Sequence, residues 1–175
     1  MKMKNKILIA IAVIAAASLA YYIWDLNVQR ARYASDAVIK AEVQTAIDVT
    51  RIIHQNAKDA GQSVDEAKVI AADALRRLNY GDNDEGYFFV DTKEGVNIVL
   101  YGNTEVEGKN RYEDKIGGIS YMKKIIDRAI AGGGYTDYFY PKKEGGDPLK
   151  KRAYSAYFES FEWVIGTGYY LEDIK

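Results

Sequence analysis

The sequence predicts an α+β fold, in which a long N-terminal helix precedes a five-stranded antiparallel sheet that carries a short inserted helix. Three observations lead to this prediction. Neither Pro nor Gly interrupts residues 25–60, the apolar spacing stays helical up to Leu78, and short alternating runs replace it from Tyr80 onward. Helices packed on the faces of an antiparallel sheet are the simplest way to cover it.

The N-terminus predicts a membrane or export signal. Met1 to Lys6 contains three lysines, and an uncharged apolar run follows from Ile7 to Trp24. Such a run is long enough to cross most of a bilayer, and the lysines favour a cytoplasmic start. Either Ser18 to Ala20 is a signal-peptidase site, or Tyr21, Tyr22 and Trp24 form an interfacial belt of a retained anchor. We expect residues 1–24 to be an anchor in a bacterial inner membrane, or a cleaved signal peptide, with residues 25–175 in the periplasm.

Residues 25–79 are predicted to form a helical stalk. Gly61 ends the first helix near Ala60, and Ser63 with Glu66 has the spacing of a capping box. The second helix is therefore expected from Val64 to about Leu78. The apolar positions of the first helix need a partner surface, and a homodimer through this helix is one way to provide it.

Residues 80–175 are predicted to form the sheet. Alternating or β-rich runs indicate five strands: Gly86 to Asp91, Val96 to Leu100, Tyr135 to Tyr140, Lys151 to Phe158 and Trp163 to Leu171. A polar loop is expected from Thr104 to Lys115. The amphipathic spacing that begins at Ile119 predicts the inserted helix, which the glycines at 132–134 end.

Composition excludes several classes of function. The chain has 24 basic and 25 acidic residues, which are interspersed, so nucleic acid is not an expected partner. Cysteine is absent, and the single histidine, His54, has no second ligand at helical spacing, so no metal or cofactor is expected. The sequence offers no nucleophile with a base and no carboxylate pair in a defined setting, which argues against an enzyme.

Three segments carry a resemblance to a known family. YGDNDEGYFFV before Asp91, the VEGKN loop that ends at Asn110, and WVIGTGYYLEDI from Trp163 resemble the single Cache domain, an extracytoplasmic sensor module of bacterial chemoreceptors and sensor kinases. The resemblance implies a PAS-like sheet and a pocket for small organic ligands, often short carboxylates.

The sequence departs from the family pattern in two places. Tyr101 and Gly102 stand where members often carry a His-Pro pair, which puts one ligand contact in doubt. Members also continue into a second membrane helix where this sequence stops at Lys175. We therefore expect a sensor that passes its signal to a separate membrane protein, a chemoreceptor or a histidine kinase.

A carboxylate pocket needs a cation and neutral hydrogen-bond donors, and tyrosine hydroxyls supply such donors from a rigid apolar frame. Lys151 is the first candidate cation, since it matches the lysine that opens the fourth strand in similar sequences, and Arg111 is the second. The aromatic candidates are Phe89, Tyr101, Tyr138, Tyr140 and Tyr154. Lys151 and Tyr154 cannot both point into one pocket from a regular strand, because strand side chains alternate between faces.

Two alternatives stay open. Lys151 lies between Lys150 and Arg152, and charged residues of this kind also occur at solvated strand edges. The whole chain can also be a ligand-free interaction or scaffold protein that dimerises and regulates a membrane partner.

Overall fold

The computed structural model describes residues 2–101, 103–143 and 145–174. Three α-helices lie within this part of the chain: α1 (Lys2–Asp59), α2 (Val64–Arg77) and α3 (Met122–Ile130). The long N-terminal helix and the inserted helix of the prediction are thereby confirmed.

The C-terminal half of α1 belongs to the core of the domain. Its buried apolar side chains are Ile39, Val43, Ala46, Ile47 and Ala57. Among the described residues, no helix combines the length and the apolar character needed to cross a membrane. The anchor or signal peptide over residues 1–24 stays a prediction.

Helix α2 begins with the predicted capping box. The Ser63 hydroxyl accepts a hydrogen bond from the Glu66 N–H at 3.2 Å, and the Glu66 carboxylate accepts one from the Ser63 N–H at 2.8 Å. Both bonds satisfy backbone donors that the first helical turn leaves free, which explains why the helix starts here.

Nine strands are described, and five of them form the predicted sheet. In chain order they are β1 (Asn79–Tyr80), β2 (Gly86–Tyr87), β3 (Phe89–Thr92), β4 (Asn97–Leu100), β5 (Lys115–Ile116), β6 (Ile119–Ser120), β7 (Gly134–Pro141), β8 (Pro148–Phe158) and β9 (Trp163–Tyr170). The sheet has the order β4-β3-β9-β8-β7, with every neighbouring pair antiparallel.

Several boundaries differ from the prediction: β8 begins at Pro148 instead of Lys151, and α3 begins at Met122, because Ile119 belongs to β6. The expected strand over residues 86–91 is divided at Phe88, because β2 pairs with β1 while β3 pairs with β4 and β9. The end of the expected polar loop, residues 104–115, takes part in a second small hairpin of β5 and β6. Gly117 and Gly118 form its turn with φ of 59° and 79°, a backbone region open to glycine.

Each face of the sheet has its own core. The first face packs against α1 and α2, through Val43, Leu75, Val90 and Ile165 among others. The second face packs against α3, and its core includes Phe89, Met122, Ile125, Tyr138 and Ala153. The candidate site lies within this second core.

Candidate ligand-binding site

A small cavity, called here the inner cavity, lies between the second face of the sheet and α3. Its volume is about 10 Å³, roughly the space of a single water molecule. Its lining is Tyr87, Phe89, Leu100, Arg111, Tyr121, Met122, Ile125, Tyr138, Tyr140 and Lys151. Two cations and four tyrosines therefore surround a space that apolar side chains close on the remaining sides.

Lys151 extends into the inner cavity from β8 and is 2% exposed. Its Nζ donates a hydrogen bond to the Tyr87 hydroxyl at 2.7 Å. The same Nζ lies 4.4 Å from the ring centroid of Tyr87, 5.1 Å from that of Tyr170 and 5.7 Å from that of Tyr140. Within the described part of the chain, no carboxylate lies within 4 Å of it. A buried ammonium group in this setting is stabilised by aromatic faces and one hydroxyl, without an ion pair.

Arg111 brings the second cation, and its side chain is 6% exposed. The backbone N–H of Arg111 donates a hydrogen bond to the Gly95 carbonyl at 2.7 Å, which fixes the backbone at this position. The guanidinium donates to the Tyr121 hydroxyl at 2.7 Å, and its Cζ lies 5.9 Å from the ring centroid of Tyr140. The ring of Tyr140 thus has Lys151 and Arg111 at similar distances.

The buried carboxyl group of Asp91 lies next to Arg111. Asp91 is fully buried, and its Oδ1 lies 3.8 Å from an Arg111 Nη and accepts a hydrogen bond from the Asn97 amide at 3.0 Å. Burial raises the pKa of Asp91 to about 7, against the lowering effect of Arg111. Burial also lowers the pKa of Arg111, but Asp91 and the neighbouring tyrosines raise it by more, so the arginine stays charged.

The hydroxyls of Tyr138 and Tyr140 beside the cavity are protonated donors. Burial raises the pKa of Tyr138 well above its usual value and that of Tyr140 to about 12. Tyr138 is 8% exposed, and no hydrogen bond of its hydroxyl is found among the described residues. As a donor, this hydroxyl is available to a ligand acceptor in the inner cavity.

A second and larger space, the outer cleft, opens beside the inner cavity. It encloses about 490 Å³, and Tyr87, Leu100 and Tyr140 line both spaces. Tyr101 belongs to the outer cleft alone, is 47% exposed and stacks on Tyr87 with centroids 6.0 Å apart. Tyr87, Leu100 and Tyr140 therefore form the partition between solvent and the two cations.

The structure brings five of the seven predicted site residues together at the inner cavity: Phe89, Arg111, Tyr138, Tyr140 and Lys151. Tyr101 lies outside the partition, and its neighbour Gly102 lies outside the described residues. Tyr154 packs on the opposite face of the sheet, with its ring 5.0 Å from that of Tyr135 and below Lys40 of α1. The alternation of strand side chains places it there, three residues from Lys151.

Sequence reasoning missed Tyr87 and Tyr121. Tyr87 precedes Phe89 by two positions, so strand alternation could have placed both on one face. Tyr121 comes directly before Met122 and Ile125, which face the sheet from α3. The amphipathic pattern of that helix was visible, but nothing local indicates that the tyrosine before it would reach Arg111.

Comparison with known proteins gives a consistent family assignment. The family model described as Single Cache domain 2 matches residues 31–175. The sensor histidine kinase MctS of Rhizobium johnstonii is 34% identical over 116 residues, which are 66% of this chain and 25% of that protein. The methyl-accepting chemotaxis protein McpP of Pseudomonas putida is 26% identical over 136 residues, 76% of this chain and 24% of that protein. The chain thus spans about a quarter of the length of these relatives.

Solved structures show the same fold. A periplasmic sensor domain of a chemotaxis protein matches with a TM-score of 0.71 and 26% identity, covering 77% of this chain and 94% of the other. A Cache chemosensory domain, solved to explain its recognition of carboxylic acids, matches with a TM-score of 0.71 and 25% identity, covering 81% and 97%. A methyl-accepting chemotaxis protein from Vibrio parahaemolyticus matches in fold with a TM-score of 0.73, 24% identity and coverage of 85% and 96%.

Proposed function

The chain belongs to the single Cache domain 2 family of sensor domains, and we propose that it binds a short organic carboxylate in the inner cavity. In this proposal the domain lies on the extracytoplasmic side of the membrane and signals in a system of the chemoreceptor or histidine kinase type. The relatives support this class of signalling system, since the matched segment is about a quarter of a sensor kinase in one case and of a chemoreceptor in the other.

The observation that carries the proposal is the pair of buried cations at Lys151 and Arg111. An uncompensated buried charge is strongly unfavourable, and Lys151 has no carboxylate partner within the described residues. A ligand carboxylate would supply the missing negative charge, with Arg111 offering further N–H donors. The protonated hydroxyls of Tyr138 and Tyr140 complete a site that prefers an acceptor to a donor.

The size of the inner cavity restricts the ligand. A space of about 10 Å³ admits a water molecule, so even an acid of two or three carbons has to displace part of the lining. The side chains that can yield are those of the partition, Tyr87 foremost, because the outer cleft lies on its other side. The proposed ligand is accordingly a monocarboxylate of two or three carbons.

A ligand-free interaction protein is the second candidate. The closed inner cavity favours it, because a domain that had lost its ligand could fill the pocket in this way. The buried lysine argues against it, since an apolar residue at position 151 would pack there without the cost of burying a charge.

Isothermal titration calorimetry of the 175-residue chain tests the proposal. Acetate and propionate are compared with acetamide and propionamide, which have nearly the same shape without the charge. The proposal predicts binding of an acid and at least about tenfold weaker binding of its amide, because the amide cannot pair with two cations. Equal affinity for acid and amide would contradict charge recognition. No binding of either acid, from a chain that melts cooperatively, would favour the interaction protein.

A further inference from the structure

A third space, the side void, lies next to the inner cavity on the flank of the domain. It encloses about 90 Å³ between the β5–β6 hairpin, the start of α3 and strand β7. Its lining is Ile116, Ile119, Tyr121, Lys124, Asp137, Tyr138, Phe139 and Lys150. Ile119 and Phe139 are 48% and 45% exposed, so apolar surface meets solvent at this point.

Two tyrosines separate the side void from the inner cavity. Tyr121 and Tyr138 line both spaces, and their rings stack in parallel, with centroids 5.4 Å apart and planes inclined by 6°. Both side chains are buried, at 5% and 8% exposure. The stacked pair is therefore a wall, with the cations on one side and a mainly apolar space on the other.

Tyr121 and Tyr138 differ in their hydrogen bonding. The Tyr121 hydroxyl accepts the hydrogen bond from Arg111, so Tyr121 also positions the guanidinium. The Tyr138 hydroxyl has no partner among the described residues, and Tyr138 is held by packing. Shortening Tyr138 would open the wall and leave the bond between Tyr121 and Arg111 in place.

We propose that Tyr138 determines ligand length, by closing the route from the inner cavity to the side void. This inference rests on the proposed function, since it concerns the same carboxylate site. The carboxylate of a longer acid would bind at Lys151 and Arg111, and its alkyl chain would run past position 138 toward Ile116, Ile119 and Phe139. With Tyr138 in place, this route is closed to the alkyl chain of an acid of four to six carbons.

The test is calorimetry on the 175-residue chain with acetate and hexanoate, for the wild type, Tyr138→Leu and Tyr138→Phe. The wild type should bind acetate and prefer it to hexanoate. Tyr138→Leu should shift that preference toward hexanoate by about tenfold or more, within the range that a few methylenes contribute in an apolar pocket. Tyr138→Phe keeps the ring, so it should keep the wild-type preference even if acetate binds more weakly without the hydroxyl.

The outcomes separate the two hypotheses. An unchanged preference in a folded Tyr138→Leu variant would overturn the role of Tyr138 and leave the proposed function standing. An equal shift in Tyr138→Phe would also overturn it, since the hydroxyl would then be the determinant. No acid binding to the wild type would overturn the proposed function and this inference with it. Should Tyr138→Leu fail to melt cooperatively, Tyr138→Met replaces it with a flexible side chain that tolerates irregular space.

Discussion

Lys151 and Arg152 are consecutive residues of β8, and their side chains form hydrogen bonds on opposite faces of the sheet. Lys151 donates to Tyr87 in the inner cavity at 2.7 Å. Arg152 forms a bidentate pair with Asp36 of α1, at 2.8 and 3.1 Å. Tyr169 donates to the same carboxylate at 2.8 Å. One dipeptide thus connects the proposed carboxylate site with the long helix.

Asp36→Asn tests the contribution of this connection to stability. The change weakens a part-buried bidentate pair, although Arg152 keeps its bond to Asp137 at 2.6 Å, so we expect the free energy of unfolding to fall by about 1–3 kcal/mol. Urea denaturation measures the change. Asp48→Asn is the matched control on the same helix, because Asp48 pairs with Arg51 at the surface, and its loss should stay below about 0.5 kcal/mol. Equal losses in the two variants would show that Asp36 does not fasten α1 to the sheet.

Asp91 predicts a pH dependence of stability. Burial raises its folded-state pKa to about 7, whereas the unfolded chain has about 3.9. Between these values the folded state holds a proton that the unfolded state has lost, so the free energy of unfolding decreases as the pH rises from about 4 to 7 and levels off above. The size is on the order of a few kcal/mol, at roughly 1.4 kcal/mol for each unit of pKa.

The variant Asp91→Asn isolates this effect. The variant has no titrating group at position 91, so its free energy of unfolding should not decrease for this reason. The free energy of unfolding of the variant minus that of the wild type should therefore increase as the pH rises from about 4 to 7. Urea denaturation between pH 4 and 8 measures the difference, with Asp114→Asn as control, since Asp114 is half exposed beside the same arginine. A difference that stays constant with pH would mean that Asp91 is ionised throughout.

Tyr87→Phe probes the closed state of the inner cavity. The substitution removes the hydroxyl that Lys151 donates to, so an incoming carboxylate no longer has to replace that bond. We expect acetate to bind about three- to tenfold more tightly, because less free energy is lost in reaching the binding-competent state. Tyr33→Phe is the control, since Tyr33 is 73% exposed on α1. Weaker acetate binding to Tyr87→Phe would assign the hydroxyl to the ligand instead of the closed state.

Local patterns predicted the helices and the faces of the strands. The capping box at Ser63 marked the start of α2, and the alternation of side chains along β8 placed Lys151 and Tyr154 on opposite faces of the sheet. These features depend on neighbours within a few residues. Alternation alone does not say which of the two residues faces the inner cavity. The burial of Lys151 shows that it is Lys151.

Long-range contacts account for what the sequence did not predict. Arg111 is buried because its backbone bonds to Gly95 and its side chain reaches Tyr121, and neither contact has a local signal. The hairpin of β5 and β6 has strands of two residues, too short to show a period. The division at Phe88 follows from the pairing of β2 with β1, which depends on where the chain returns in space.

The substitution Lys151→Met tests the central claim most directly, with acetate binding and thermal melting measured on the same samples. Methionine keeps much of the shape of the side chain and removes its charge. The account predicts at least about a thirtyfold loss of acetate affinity, without a lower melting temperature, because a buried charge without an ion pair is replaced by an apolar group. Lys109→Met, on an exposed lysine, should leave both quantities unchanged. Wild-type acetate affinity in Lys151→Met would contradict the account.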